Sequence, residues 1–278
     1  MTSRFVSVGG VFAVASVALA VSFGQVNSRE SKDVPLPPVR PAAVEMIVEH
    51  VSPETSKATK VYRRPGSRPF VYFSGLAIDA DGAPNAYHPN DKPGIDALEH
   101  AGSPGNWWAL ALDEGRPVVQ SQGEYSGFYV SMTWLSREDD LYSQFDPEYW
   151  LDARKVRYIA IPETVFKAGG AEKGDLAYVF NQANGKSSYA IIGDWGTENT
   201  LGEGSIALAE ALGVDGNPRD GGQDNQIAYV VFPGSHARPR WPRQVDDMSR
   251  QADKLLHDFG GRDAVQALRM AIATHARK

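Results

Sequence analysis

The sequence predicts a β-rich α+β domain, a barrel- or sandwich-like set of short strands with a few peripheral helices. Three observations predict it. The 278-residue chain carries 27 glycines and 18 prolines, and these fall between short apolar runs, which suits strands and turns better than a helical bundle. About nine such runs read as strands against three or four helical stretches. With 42% hydrophobic residues the chain is long enough for one large domain with its own core. There is no internal repeat.

The elements follow in order. Arg4 is the only charge before Arg29, and an apolar run fills 5–24, the pattern of a secretory signal. Ala18-Leu19-Ala20 offers a small-x-small cleavage site. The run is also long enough to span a bilayer, so 1–24 is expected to be a signal peptide or, uncleaved, an anchor, and the protein secreted or periplasmic. Residues 25–60, with Pro35, Pro37, Pro38 and Pro41, read as an extended tether. The folded domain is expected over 61–240.

Residues 70–73 and 76–78 are strand-like, 79–82 (Asp-Ala-Asp-Gly) a turn and 85–89 a loop. In 94–101, Ile95, Leu98 and Ala101 recur at helical spacing and predict a short helix. Strands are predicted over 106–112, 118–122, 127–134, 158–161, 176–180 and 189–192, with a turn at 113–117. Asn184-Gly185 marks a hairpin between the last two. Residues 205–212 form a helix that ends at Gly213, and 227–232 closes the strand series. Two further helices, 245–259 and 263–275, separated by Gly260-Gly261, make 241–278 a C-terminal helical extension.

The formal charge of −6 argues against a nucleic-acid partner, because phosphate binding needs clustered Lys and Arg. It is compatible with a cationic ligand, although a modest negative charge mainly keeps a protein soluble. Zero cysteines exclude disulfides, thiolate nucleophiles, Cys-ligated zinc and iron–sulfur clusters. The six histidines show no HExxH and no close ligand spacing, so no metal is expected. No nucleophile elbow, P-loop or dinucleotide fingerprint occurs, and Ser235 reads as a turn residue.

Carboxylates carry what chemistry there is. Asp194, in Gly193-Asp194-Trp195-Gly196, follows an apolar strand directly, and Glu203, in Gly202-Glu203-Gly204, opens a helix. Two such acids facing one cleft are the minimum equipment for glycoside hydrolysis. On spacing alone the plainer roles have the stronger claim: a helix N-terminal acid for Glu203 and a turn residue for Asp194. Asp96, Glu99 and His100 read as the wet face of the short helix. Trp107, Trp108, Tyr125, Trp195 and Trp241 could stack sugar rings but are more commonly core.

Taken together the motifs are more specific. Residues 77–82 (Ala-Ile-Asp-Ala-Asp-Gly), 86–89 (Ala-Tyr-His-Pro), 105–108 (Gly-Asn-Trp-Trp), 127–131 (Gly-Phe-Tyr-Val-Ser), 174–178 (Gly-Asp-Leu-Ala-Tyr), 189–194 (Tyr-Ala-Ile-Ile-Gly-Asp), 201–205 (Leu-Gly-Glu-Gly-Ser) and 231–234 (Val-Phe-Pro-Gly) occur in that order. This set resembles the glycoside hydrolase family 75 chitosanases over about residues 70–235. The resemblance implies endo-hydrolysis of β-1,4-linked glucosamine polymers with inversion and without a cofactor. Its essential Asp and Glu carry onto Asp194 and Glu203, with Glu203 assigned as general acid and Asp194 as general base; the division of roles is open, and Asp175 is the alternative second acid. Asp79 and Asp81 become candidates for gripping substrate ammonium groups, and Asp175 and Trp195 for further substrate contacts. The expected partner is chitosan or a related amino-sugar polysaccharide, bound by a monomer that meets a membrane only through an uncleaved N-terminal segment. Two rival readings remain: a non-catalytic cell-wall polysaccharide-binding domain, and a hydrolase of another de-N-acetylated amino-sugar polymer.

Overall fold

The computed structural model describes residues 43–275; the expected export segment and the prolines at 35–41 lie outside the described residues. The chain enters as β1 (Glu45–Val51), antiparallel to β2 (Ala58–Arg63), which pairs antiparallel with β3 (Phe70–Asp79). Residues 45–60, read as the end of the tether, are thus largely ladder. Val61 and Tyr62 are the cause, because pairing on β3 takes their apolar side chains out of water, and Val48 of β1 pairs in turn on Val61.

Between β3 and the next long strand the chain is mostly irregular. The two-residue strands β4 (Gly102–Ser103), β5 (Asn106–Trp107), β6 (Leu112–Asp113) and β7 (Arg116–Pro117) and two 3₁₀ turns, at Leu98–Ala101 and Pro147–Tyr149, punctuate it. The strands expected over 106–112, 118–122 and 127–134 shrink to these pairs and to isolated bridges such as Leu110↔Ser131 and Val119↔Tyr129. Gly105, Gly115, Gly123 and Gly127 all take positive φ, which ends an extended run, while Ala109, Leu110 and Val130 still bury their side chains. The helix expected at 94–101 is a single 3₁₀ turn at Leu98–Ala101. There the Asp96 carboxylate takes the Ala97 N–H at 2.7 Å and the Asp91 carboxylate takes the Leu98 N–H at 2.7 Å, so side chains compete with the helical ladder.

Regular structure resumes with β8 (Tyr158–Pro162), α1 (Glu163–Gly169), β9 (Leu176–Asn181), β10 (Ser187–Gly196), β11 (Glu203–Ser205), α2 (Ile206–Leu212), β12 (Gln223–Phe232), α3 (Val245–Phe259) and α4 (Gly261–His275). The hairpin expected at Asn184-Gly185 joins β9 to β10. Ser205 caps α2, its Oγ accepting from the Leu208 N–H at 3.2 Å, and Gly213 closes the helix in the left-handed conformation.

The sheet order is β1-β2-β3-β11-β8-β10-β9-β12, and β12 pairs back onto β3, closing a six-stranded barrel. The β8–β10 and β3–β11 pairs are parallel and the rest antiparallel. Along β3 and β12 both faces are buried. Tyr72 and Tyr229 stack at 4.5 Å in one apolar cluster, while their neighbours Val71 and Val230 pack in another with Phe259, Val265 and Leu268. That double burial explains the unbroken apolar runs at 70–73 and 227–232. It also makes the C-terminal helices part of the core rather than an appendage: truncating fully buried Leu268 to Ala should cost about 2–5 kcal/mol.

Candidate active site

Strand register assembles the acids. Glu203 of β11 pairs with Ala160 of β8 on one side, and Asp194 of β10 pairs with the same Ala160 on the other. Residues opposite one another on neighbouring strands share a face, so both acids project from one side of the sheet, one on either side of β8. On the far flank of β11, Glu203 is level with Ala77 and Ser205 with Asp79, which brings the end of β3 to the same face. Gly193 is the extra residue of a bulge between Ile192 and Asp194; such bulges re-aim the following side chain.

The turn after β3 completes the group. Asp79 Oδ1 accepts the Asp81 N–H at 2.7 Å, folding the turn so that carboxylate oxygens of Asp79, Asp81 and Asp194 lie within 4.8 Å of one another. Gly82 makes this possible. Its φ is +76°, and a Cβ there would stand 2.0 Å from the Leu151 carbonyl oxygen, so no other residue fits. Ser131 Oγ accepts the Gly82 N–H at 3.0 Å and approaches Asp81 Oδ1 at 3.4 Å. The Tyr158 hydroxyl donates to the Asp81 carbonyl at 2.9 Å.

Burial and mutual repulsion hold protons on these acids. Burial first, then the Asp79 charge, raises Asp194; two backbone donors oppose this, the N–H groups of Trp134 at 2.9 Å and Trp195 at 2.6 Å on Oδ1. Its other oxygen, Oδ2, is buried without a hydrogen-bond partner among the described residues. Burial and the charges of Asp79 and Asp194 raise Asp81 as well. Asp79 is pushed up to about 6, mainly by burial. Glu203, partly exposed, is raised to about 8 by desolvation and then by the Asp79 and Asp96 charges, with no hydrogen-bonding group among the described residues favouring its ionised form. The chemical capacity is that of a proton-holding Glu203 sharing one face with the Asp194 carboxyl, beside an acid cluster that a cationic substrate group would neutralise. A polar pocket of about 220 Å³, lined in part by Gly75, Ala77, Thr200, Gly202 and Gln223, does not include Glu203 or the three aspartates in its lining.

Two expected site residues lie elsewhere. Asp175 is fully buried and its oxygens are saturated by the N–H groups of Glu172, Gly234 and His236 and by His236 Nδ1, at 2.9–3.0 Å. It ties β9 to the turn after β12. Trp195 follows Asp194 in β10, so the alternation of the strand turns it to the opposite face. There it packs edge-on to Trp134 and Phe166, half exposed.

Other members escaped the sequence reading. Asp96, read as part of a wet helix face, is only 3% exposed and hydrogen-bonds Tyr87 and His100. Tyr87, 2% exposed, donates to Asp81 at 2.7 Å. The available signals were the His-bearing motif around Tyr87 and the i, i+4 spacing of Asp96 and His100.

The family model described as "fungal chitosanase of glycosyl hydrolase group 75" matches residues 122–262. The matched segment contains Asp194, Glu203 and the whole of α3; it begins beyond Asp79 and Asp81. No curated protein matches the chain.

Proposed function

The chain belongs to the chitosanase family of glycosyl hydrolase group 75, and from that premise we propose that it is an endo-acting chitosanase cleaving β-1,4 glucosamine linkages with inversion. It is a glycoside hydrolase by family; the substrate, the stereochemistry and the residues are our reading. One observation carries it: Asp194 and Glu203 flank Ala160 on a single face of the sheet.

In the proposed mechanism Glu203, still protonated near neutrality because its carboxyl is held at about 8, delivers its proton to the glycosidic oxygen. Asp194 acts from the other side. Its Oδ1 is anchored by two backbone N–H groups, which favour the anion, and its unpartnered Oδ2 is free to take a proton from the attacking water. Asp79 and Asp81 would receive a glucosamine ammonium, whose charge relieves the repulsion among the three aspartates and lowers the cost of ionising Asp194. A purely binding domain has no need of a proton-holding Glu203 sharing one face with the Asp194 carboxyl, which favours the hydrolase over the non-catalytic rival. The N-terminal 24 residues would export the protein.

A reducing-end assay on soluble chitosan tests the proposal, with Glu203→Gln as the control. Release of new reducing ends by the wild type and their loss in the variant are expected; no release from chitosan, with release from another de-N-acetylated amino-sugar polymer, would move the substrate assignment to that polymer.

A further inference from the structure

Behind the acid cluster runs a line of hydrogen bonds that hydrolysis itself does not require. The exposed edge is His100, half exposed, whose Nδ1 lies 2.8 Å from Asp96 Oδ1. Asp96 Oδ2 in turn lies 3.3 Å from the Tyr87 hydroxyl, and that hydroxyl is 2.7 Å from Asp81 Oδ1. Tyr87 and Asp96 are both almost fully buried. A phenol has one hydrogen to donate, and two carboxylates compete for it.

We propose that Tyr87, Asp96 and His100 form a positioning relay through which the charge on His100 governs whether Asp81 keeps its proton. With His100 protonated, Asp96 is satisfied by the imidazolium, and the Tyr87 hydroxyl turns fully to Asp81 and favours its anion. With His100 neutral, Asp96 is left with only neutral donors, such as the Ala97 N–H, and draws the hydroxyl away, so Asp81 holds its proton to higher pH. The Asp194 charge raises Asp81, and their carboxylate oxygens lie within 4.8 Å of each other, so the Asp81 proton matters to the group proposed as base; the catalytic consequence rests on the function proposed above, whereas the relay itself does not.

The surroundings fit. His100 faces Asp96 and Glu99 on its own segment and Arg219 from the loop before β12; its hydrogen bond to Asp96 raises it, and the Arg219 charge opposes. Arg219 donates to the Asp96 carbonyl at 2.8 Å, to the Gly94 carbonyl at 3.2 Å and to the Asp91 carboxylate at 3.2 Å, pinning the segment without touching the Asp96 carboxyl. Tyr87 faces Asp81, Asp96 and Asp79. Asp81 faces Asp79, Asp194 and Glu203, with Ser131 and Tyr158 as neutral neighbours.

Carbon-13 NMR titration of the aspartate carboxyls, with the Asp81 signal assigned through Asp81→Asn, tests the relay directly. Tyr87→Phe should move the Asp81 midpoint up by ~0.5–1 pH unit, the scale of one hydrogen bond to a carboxylate. His100→Gln keeps a donor for Asp96 but removes the charge, and should move it in the same direction by less. The double variant should add little to Tyr87→Phe alone, because the path from His100 is already cut. An unmoved Asp81 in both single variants, or fully additive shifts, overturns the relay. If Tyr87→Phe does not fold, the half-exposed His100→Gln variant decides alone. With Asp81 neutral, Asp194 ionises more readily, so the acidic limb of kcat on glucosamine oligomers should move to lower pH in both variants. A fully active Glu203→Gln enzyme would instead defeat the catalytic reading and leave the Asp81 titration standing.

Discussion

Asp194 and Glu203 stand level with each other across β8, both in register with Ala160. Each is set by backbone: Asp194 follows a β-bulge and Glu203 begins a strand that runs straight into the capped start of α2. The Glu203 carboxyl makes no supporting hydrogen bond among the described residues, whereas Asp194 Oδ1 ties the Trp134 N–H to β10. Glu203→Gln should therefore lower turnover on chitosan oligomers by ~10²–10⁴, the usual worth of a general acid, while its melting at pH 4–5 matches wild type. A variant keeping half the activity removes Glu203 from the mechanism.

The same acids set a pH dependence of stability, and its sign follows from their direction. Glu203 rises from an ordinary 4.5 to about 8 and Asp79 from 3.8 to about 6. Groups raised on folding contribute stability that is complete below their unfolded values and is lost as pH climbs through the folded ones. Between about pH 4 and pH 9 the wild type should thus lose stability from these two groups. Glu203→Gln, neutral throughout, should melt several degrees above wild type at pH 9, each kcal/mol being worth roughly 2–4 °C in a domain of this size. Differential scanning calorimetry at the two pH extremes reads this; an equal gap at both would mean that Glu203 is not raised.

Asp79, Asp81 and Asp194 crowd their oxygens within 4.8 Å, and an ammonium group among them would relieve that repulsion. Calorimetric titration of the inactive Glu203→Gln variant should show a glucosamine hexamer binding more tightly than its N-acetylated counterpart, and weakening as salt shortens the ~8 Å screening length of physiological buffer. Equal affinity for the two would turn the assignment toward a neutral polysaccharide.

What the sequence could and could not disclose divides along physical lines. Asp194 and Glu203 are legible as glycine-bracketed acids within an ordered set of motifs, but not in their exact setting. Asp194 lies within β10 rather than after it, and Glu203 begins the short strand β11 rather than opening α2, which starts at Ile206. The long strands β3, β9, β10 and β12 are legible from apolar runs that pair on both sides. Closure of the barrel is not, because the β3–β12 pairing joins residues far apart in sequence, such as Tyr72 and Tyr229. Nor are Tyr87 and Asp96, whose meaning comes from three loops meeting at Asp81. The family resemblance likewise offered Asp175 as the alternative second acid, but its four donors come largely from the 234–236 turn.

The register also bears on stereochemistry. Neighbouring strands lie about 4.8 Å apart, so two acids separated by one strand have backbones roughly 9–10 Å apart and side chains rising from one face. Inverting glycosidases hold their carboxyls about 6.5–9.5 Å apart to admit a water, whereas retaining enzymes bring them to about 5–5.5 Å. Across β8 the wider spacing is the natural one, since no shared turn draws Asp194 and Glu203 together. Hydrolysis of a β-linked glucosamine oligomer should accordingly release the α-anomer first. Proton NMR of the anomeric region in the opening minutes of digestion separates the two products before mutarotation mixes them. A β-anomer appearing first would overturn inversion and direct attention to Asp79, whose charge acts on Glu203 more strongly than any other, as the nucleophile.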